Sequence, residues 1–247
     1  MNDPTTRTWD IYPAIDLRQG RVVRLMQGDP DQETAYGNDP LAVAERWQDA
    51  GARWLHVVNL DGALDQAAGE NLAALERILS TGLRVQFGGG MRDAAAIGHA
   101  LRLGVERAII GTAAVENPAM VDEVLAAHGA ERIAVGIDAR DGRVQTHGWQ
   151  EAASMTAAEL ARHWAGRGLR WVIFTDVARD GMGTGVNLEA TAALARETGL
   201  DVIASGGVAS LEDVERVYEA GLSGVIIGRA LYEGHVDLRR ALAVGQK

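Results

Sequence analysis

An internal repeat limits what this chain can fold into. Ile15-Asp16-Leu17-Arg18-Gln19-Gly20-Arg21-Val22 returns as Ile137-Asp138-Ala139-Arg140-Asp141-Gly142-Arg143-Val144. Trp47 and Trp164, Gly51 and Gly168, Trp54 and Trp171, Gly104 and Gly221, and Gly111 and Gly228 are each 117 residues apart. Asp16 and Asp138 are 122 apart, so five extra residues lie between Val22 and Trp47 in the first half. A period near 120 is too long for a solenoid unit. It suits two (βα)4 halves that complete each other.

Short β-branched runs alternate with amphipathic runs throughout. Strands are predicted at Ile11–Asp16, Trp54–Leu60, Arg84–Phe87, Arg107–Ile110, Ile133–Asp138, Trp171–Asp176, Asp201–Ala204 and Gly224–Ile227. Several are apolar without alternation, as expected of parallel strands covered on both faces. Helices are predicted between them, for example at Pro40–Ala50, Asp93–Leu103, Pro118–His128, Thr156–Arg167 and Leu211–Ala220, from apolar residues three and four apart. Eight strands each followed by a helix, in 247 residues, predict an α/β fold of the (β/α)8 TIM-barrel type. Residues 1–10 read as an N-terminal extension without a secretory signal. Residues 11–247 read as one barrel domain, with half-barrels at about 11–130 and 131–244. The repeated tryptophans read as core.

Composition narrows the chemistry. The absence of cysteine removes disulfides, thiolate metal sites and cysteine nucleophiles. The six histidines are never two to five residues apart, so no zinc signature is present. A net charge of −10 argues against a nucleic-acid surface, and no apolar run is long enough for a bilayer. A cytoplasmic protein without membrane or nucleic-acid partners is expected.

In a barrel of this kind function sits where the strands end. Asp16 is placed at the end of strand one and Asp138 at the end of strand five, on opposite sides of the mouth. Two opposed carboxylates suit general acid and base roles when their surroundings separate their pKa values. Loop capping or pairing with a nearby arginine is the plainer alternative, and the duplication weighs against it. Gly88-Gly89-Gly90 follows strand three and Ser205-Gly206-Gly207 follows strand seven. Each is joined, after the next strand, by Gly111-Thr112 or Gly228-Arg229. Such turns can point N–H groups at an anion, although they can also serve only as tight connections. Two of them imply a small substrate with a phosphate at each end. Trp149 follows Asp138 in its loop, where an indole either packs or stacks on a planar heterocycle. Asp176 ends strand six before a glycine-rich segment, through Gly185, that suits a mobile lid. Asn59 holds the matching place in the first half. His56 and His163 read as structural.

These residues also carry a resemblance. Pro13-Ala14-Ile15-Asp16-Leu17, Gly20-Arg21-Val22-Val23-Arg24-Leu25, Gly88-Gly89-Gly90-Met91-Arg92, Gly148-Trp149, Thr175-Asp176 with Asp180-Gly181, and Ser205-Gly206-Gly207-Val208 resemble the phosphoribosylformimino-5-aminoimidazole carboxamide ribotide isomerase family of histidine biosynthesis. The resemblance runs from about Ile11 to Ala243. It implies an Amadori rearrangement of an aminoaldose (ProFAR) to an aminoketose (PRFAR) by acid/base catalysis, without a metal or organic cofactor. It implies Asp138 as the acid that opens the ribose ring and Asp16 as the base, with Asp176 a third candidate. It implies Trp149 stacking on the imidazole carboxamide and Arg24 and Arg92 on substrate oxygens. The phosphate cradles would be lined by Gly89, Gly90, Gly111, Thr112, Gly185, Ser205, Gly206, Gly207, Gly228 and Arg229. The family tends to be monomeric. Asn59 departs from the usual Asp of the pattern, and Asp61 is expected to compensate in hydrogen bonding.

Three rivals remain. The cyclase subunit of imidazole glycerol phosphate synthase shares both acids and both cradles, but typically has Lys-Gly where this chain has Arg24-Leu25. A dual-substrate isomerase also acting on phosphoribosylanthranilate would be decided around Arg143 and Trp149. A non-catalytic bisphosphate-binding barrel does not explain carboxylates beside a dianionic ligand, which are unfavourable unless they handle protons.

Overall fold

The continuously apolar runs become strands buried on both sides, and the amphipathic runs become the helices that cover them. A computed structural model describes residues 9–246; the expected extension lies outside it up to residue 8. In chain order the elements are β1 (Asp10–Arg18), β2 (Arg21–Met26), β3 (Asp29–Gly37), α1 (Pro40–Asp49), β4 (Trp54–Asn59), α2 (Leu60–Ala63), α3 (Gly69–Leu79), β5 (Arg84–Gly88), α4 (Ala94–Leu103), β6 (Arg107–Ile110), α5 (Ala113–Glu116) and α6 (Pro118–His128). The second half follows with β7 (Ile133–Arg140), β8 (Arg143–Thr146), β9 (Glu151–Thr156), α7 (Ala157–Ala165), β10 (Trp171–Asp176), α8 (Leu188–Thr198), β11 (Asp201–Ser205), α9 (Leu211–Glu219), β12 (Gly224–Ile227), α10 (Arg229–Tyr232) and α11 (Leu238–Leu242).

Eight strands pair in parallel in the circular order β1, β4, β5, β6, β7, β10, β11, β12, and β12 returns to β1. This is the (β/α)8 barrel expected from the sequence. Tyr12, Ala14, Trp54, Ile109, Ala134, Trp171, Ile173, Ile203 and Ile226 pack inside it. A larger apolar layer lies between the strands and the helices. Trp47, Trp54, Trp164 and Trp171 are all buried. Helix starts are fixed by side chains that accept from the first free N–H groups, as Asp93, Asn117 and Asn187 do. Thr156 with Glu159 and Ser210 with Asp213 form reciprocal caps.

Four strands were not expected from apolar patterning. The repeated motif does not end at its aspartate. It continues through Arg18 and Arg140 and turns back at Gln19-Gly20 and Asp141-Gly142, where both residues have positive φ. Two-residue turns of this kind match the twist of antiparallel strands. β2 then meets β3 through a similar turn at Gln27-Gly28, and β8 pairs with β9. β3, β8 and β9 are largely polar because they stand above the barrel, where periodicity carries little signal, whereas β2 buries Val22, Val23 and Leu25. The Asp-Gly turn was the legible clue. Asp10 also belongs to β1, so the first strand begins one residue earlier than expected.

Candidate active site

The two hairpins and the loop after β10 rise around a cavity of about 380 Å³ at the carboxyl ends of the barrel strands. Its lining includes Asp16, Arg24, Gly89, Gly90, Arg92, Gly111, Thr112, Asp138, Trp149, Ser205, Gly206, Gly207, Gly228 and Arg229. Fourteen of the sixteen site residues expected from sequence therefore meet in one space; Asp176 and Gly185 are the exceptions. Gly185 lies behind the wall, its N–H donating to the Gly207 carbonyl at 2.9 Å.

The carboxylates sit in different surroundings. Arg24 donates to Asp16 at 2.7 Å and reaches Asp180 at 3.5 Å. Burial pushes Asp16 up to about 6, with Arg24 opposing and Asp180 adding to the rise. Asp138 is also raised, mainly by burial, with Asp180 again contributing; hydrogen bonds from Trp149 and Thr175 oppose this. No cation is among the groups acting on Asp138. Burial raises Asp180 as well, against the pull of Arg24. One arginine thus faces two acids, while the third acid has only neutral donors. Asp180 was not among the site residues expected from sequence.

Asp176 is placed differently from that expectation. One of its oxygens accepts from the Ala178 N–H at 3.0 Å and the other from Asn187 Nδ2 at 2.7 Å. Its counterpart Asn59 does the same work in the first half, accepting from Gly62 N–H at 3.0 Å and Asn71 Nδ2 at 2.8 Å. Both are brackets that tie a strand end to its loop and to the next helix. A strand-end position alone does not bring a carboxylate into the mouth. Asp61 compensates at Asn59 as expected, since Asn71 Nδ2 also reaches its carboxylate at 2.9 Å.

The glycine turns are built by packing. At Gly206, with φ of 85°, a Cβ would approach the Asp176 carbonyl to 2.8 Å, and at Gly207 it would overlap the Gly185 carbonyl. A Cβ on Gly89 would likewise overlap the Asn59 backbone. The positive φ and the close neighbour both demand glycine. Among the described residues, the backbone N–H groups of Gly90, Gly206 and Gly207 donate to no protein acceptor. The short helices α5 and α10 open beside these turns without a side-chain cap. Free donors and uncapped helix starts give each half one turn with the features that suit an anion cradle.

Each cradle also grips an overhanging loop. Thr112 Oγ1 accepts from the His147 N–H at 3.0 Å, and Arg229 donates to the Gly181 carbonyl at 2.7 Å and to Glu233 at 2.7 Å. His147, Gly148 and Trp149 all have positive φ, which turns the indole inward. The ring rests on Gly28, where a Cβ would overlap it. Gln27 Nε2 then donates to the Ala178 carbonyl at 2.9 Å, joining the first loop to the one that carries Asp180. Arg92 is held by Asp65 at the opposite rim.

The chain is similar to known proteins along most of its length. A family model described as histidine biosynthesis protein matches residues 10–237. The chain is 51% identical over 242 residues to a protein of Symbiobacterium thermophilum, covering 95% of this chain and 96% of that one. It is 51% identical over 234 residues to one of Granulibacter bethesdensis, covering 94% and 96%. It is 47% identical over 237 residues to one of Roseiflexus castenholzii, covering 96% and 100%. All three relatives are named 1-(5-phosphoribosyl)-5-((5-phosphoribosylamino)methylideneamino)imidazole-4-carboxamide isomerase.

Proposed function

The chain belongs to the histidine biosynthesis protein family, and from that premise we propose that it converts the aminoaldose ProFAR to the aminoketose PRFAR by an Amadori rearrangement. The observation that carries this reading is the pairing of two phosphate cradles with unequal carboxylates between them. The substrate is bisphosphorylated, and one phosphate rests on the Gly89–Gly90 turn with Thr112. The other rests on the Gly206–Gly207 turn with Arg229. The reaction is placed in the cytoplasm.

Asp138, raised by burial and without a cation partner, is the acid. Its proton goes to the ribose ring oxygen, the bond from that oxygen to C1 breaks, and the nitrogen lone pair closes an iminium. Asp16, kept ionised by Arg24 above about pH 6, takes the proton from C2 to give an enolamine. That proton returns to C1 while the C2 hydroxyl gives its own to Asp138. The ketone forms and both carboxyl groups are reset. Burial raises both carboxyls and the negative charge of Asp180 adds to the rise, in the direction that proton transfer near neutral pH favours. Trp149 stacks on the imidazole carboxamide and keeps Asp138 under its indole N–H.

The test is direct. Purified protein is given the aminoaldose, and the ketose is drawn off by an added cyclase with ammonia. Turnover dependent on this chain is the expected result. Tight bisphosphate binding without turnover would favour the cyclase or the non-catalytic barrel.

A further inference from the structure

The floor of the cavity breaks the symmetry of the barrel. In the first half a single register row runs Ala14, His56, Gln86, Arg107 across β1, β4, β5 and β6. The equivalent row in the second half is Gly136, Ile173, Ile203, Gly224 across β7, β10, β11 and β12. The fold therefore has no need of polar residues at these places, because its other half has isoleucine for His56 and Gln86 and glycine for Arg107. Buried polar groups cost stability unless paired, so a polar row here calls for another reason.

The row has a direction. Arg107 is almost wholly buried, held over the Trp171 ring at 3.8 Å and the Trp54 ring at 4.9 Å from their centroids. Its guanidinium can only donate, and it lies 3.1 Å from the Gln86 carboxamide oxygen. The Gln86 amide nitrogen must then face His56 Nδ1, at 3.1 Å, and donate to it. Nδ1 is an acceptor, so the neutral ring carries its proton on Nε2. Burial, reinforced by Arg24, keeps the ring neutral by lowering its pKa to about 3. Among the described residues Nε2 has no protein partner, it is not among the buried unsatisfied atoms, and the ring lines the cavity. The proton faces the space below Asp16.

We propose that His56 is a substrate-binding residue that donates from Nε2 to an oxygen of the opening ribose beside Asp16, with Gln86 and Arg107 as positioning residues that fix its tautomer. Because both halves present a glycine turn beside an uncapped helix start, a bisphosphate could enter either way round. The donor at His56, facing the apolar Ile173, selects the orientation that puts the aldose end at Asp16. The sequence reading took His56 as structural. This inference rests on the isomerase reading above.

The test combines histidine ¹⁵N NMR with turnover. The wild-type resonance that disappears in His56→Ile is expected to be that of a neutral ring protonated at Nε2, and to move when the aminoketose is added. His56→Ile places the second half's own residue in the first half. It should fold, with kcat/KM for the aminoaldose down at least about tenfold, the effect of one lost hydrogen bond. Affinity for the aminoketose by calorimetry should fall by less, since the reversed complex remains. Gln86→Leu should mix the two tautomers and lose an intermediate part of kcat/KM. An Nδ1-protonated or cationic ring in the wild type, or full kcat/KM in His56→Ile, overturns the proposal. Should His56→Ile not fold, the wild-type tautomer and its response to the aminoketose decide, with the resonance assigned through Gln86→Leu. A wild type without isomerase turnover sinks the functional reading instead, which is a separate result.

Discussion

Asp16 and Asp138 come from the same repeated motif, yet a cation partner makes them unlike. Arg24 is bonded to Asp16 and no arginine acts on Asp138, so the same side chain can serve as base in one half and acid in the other. Asp16 is raised to about 6, and below that pH the base is protonated. The profile of kcat/KM, which reports the free enzyme, should therefore have an acid limb near pH 6. Asp180 is one of the charges that raise it. In Asp180→Asn the limb of the remaining activity should move to lower pH, and a limb that stayed or rose would remove Asp180 from the set. Asp176 tests the same picture by contrast. Asn59 already shows that an amide can do the bracket's work. Asp176→Asn should thus keep kcat/KM within about tenfold of wild type, far from the roughly 10²–10⁴-fold of a lost general acid or base. A loss of that larger size would return Asp176 to the chemistry.

At the scale of the elements, the barrel strands were legible and the structures above them were not. β6 and β12 are buried along their whole length, and such runs are visible in sequence. β3 and β9 are mostly half-exposed and polar, held by pairing with their hairpin partners rather than by burial of an apolar face. The place of Asp180 was hidden for a related reason. It depends on Gln27 holding Ala178 and on Arg229 holding Gly181, contacts between residues far apart in the chain. Asp176, by contrast, ends its strand and is the candidate that the resemblance implies. Trp149 depends on such a contact too. Gly28→Ala would push its Cβ into the indole and force a side chain into positive φ, a strain of about 1–2 kcal/mol. Substrate affinity by calorimetry should weaken about tenfold while circular dichroism stays that of the wild type. Unchanged affinity would mean that the indole does not need its Gly28 seat.

The whole molecule separates stability from function by face. Repeat spacing made the eight-strand closure legible, because one (βα)4 half leaves two sheet edges unpaired and the other half covers both. The two ends of the described residues meet near the start of β1, at the opposite end of the strands from the cavity. Trp9 Nε1 donates to the Val244 carbonyl at 2.9 Å, and its ring meets Tyr218 edge-on at 5.2 Å between centroids. Trp9→Ala should cost about 1–3 kcal/mol, lowering Tm by several degrees with kcat/KM unchanged; an equal loss in both would show that the faces are coupled. In the proposed mechanism two opposed carboxylates of the repeat share the proton transfers of one isomerisation. Its most direct test is single-turnover conversion of the aminoaldose by wild type, Asp16→Asn and Asp138→Asn, with aminoketose binding measured on each. Conversion by the wild type, its loss by a factor of at least about 10² in both variants, and binding retained in both are expected. Near-wild-type conversion by either folded variant would contradict the account.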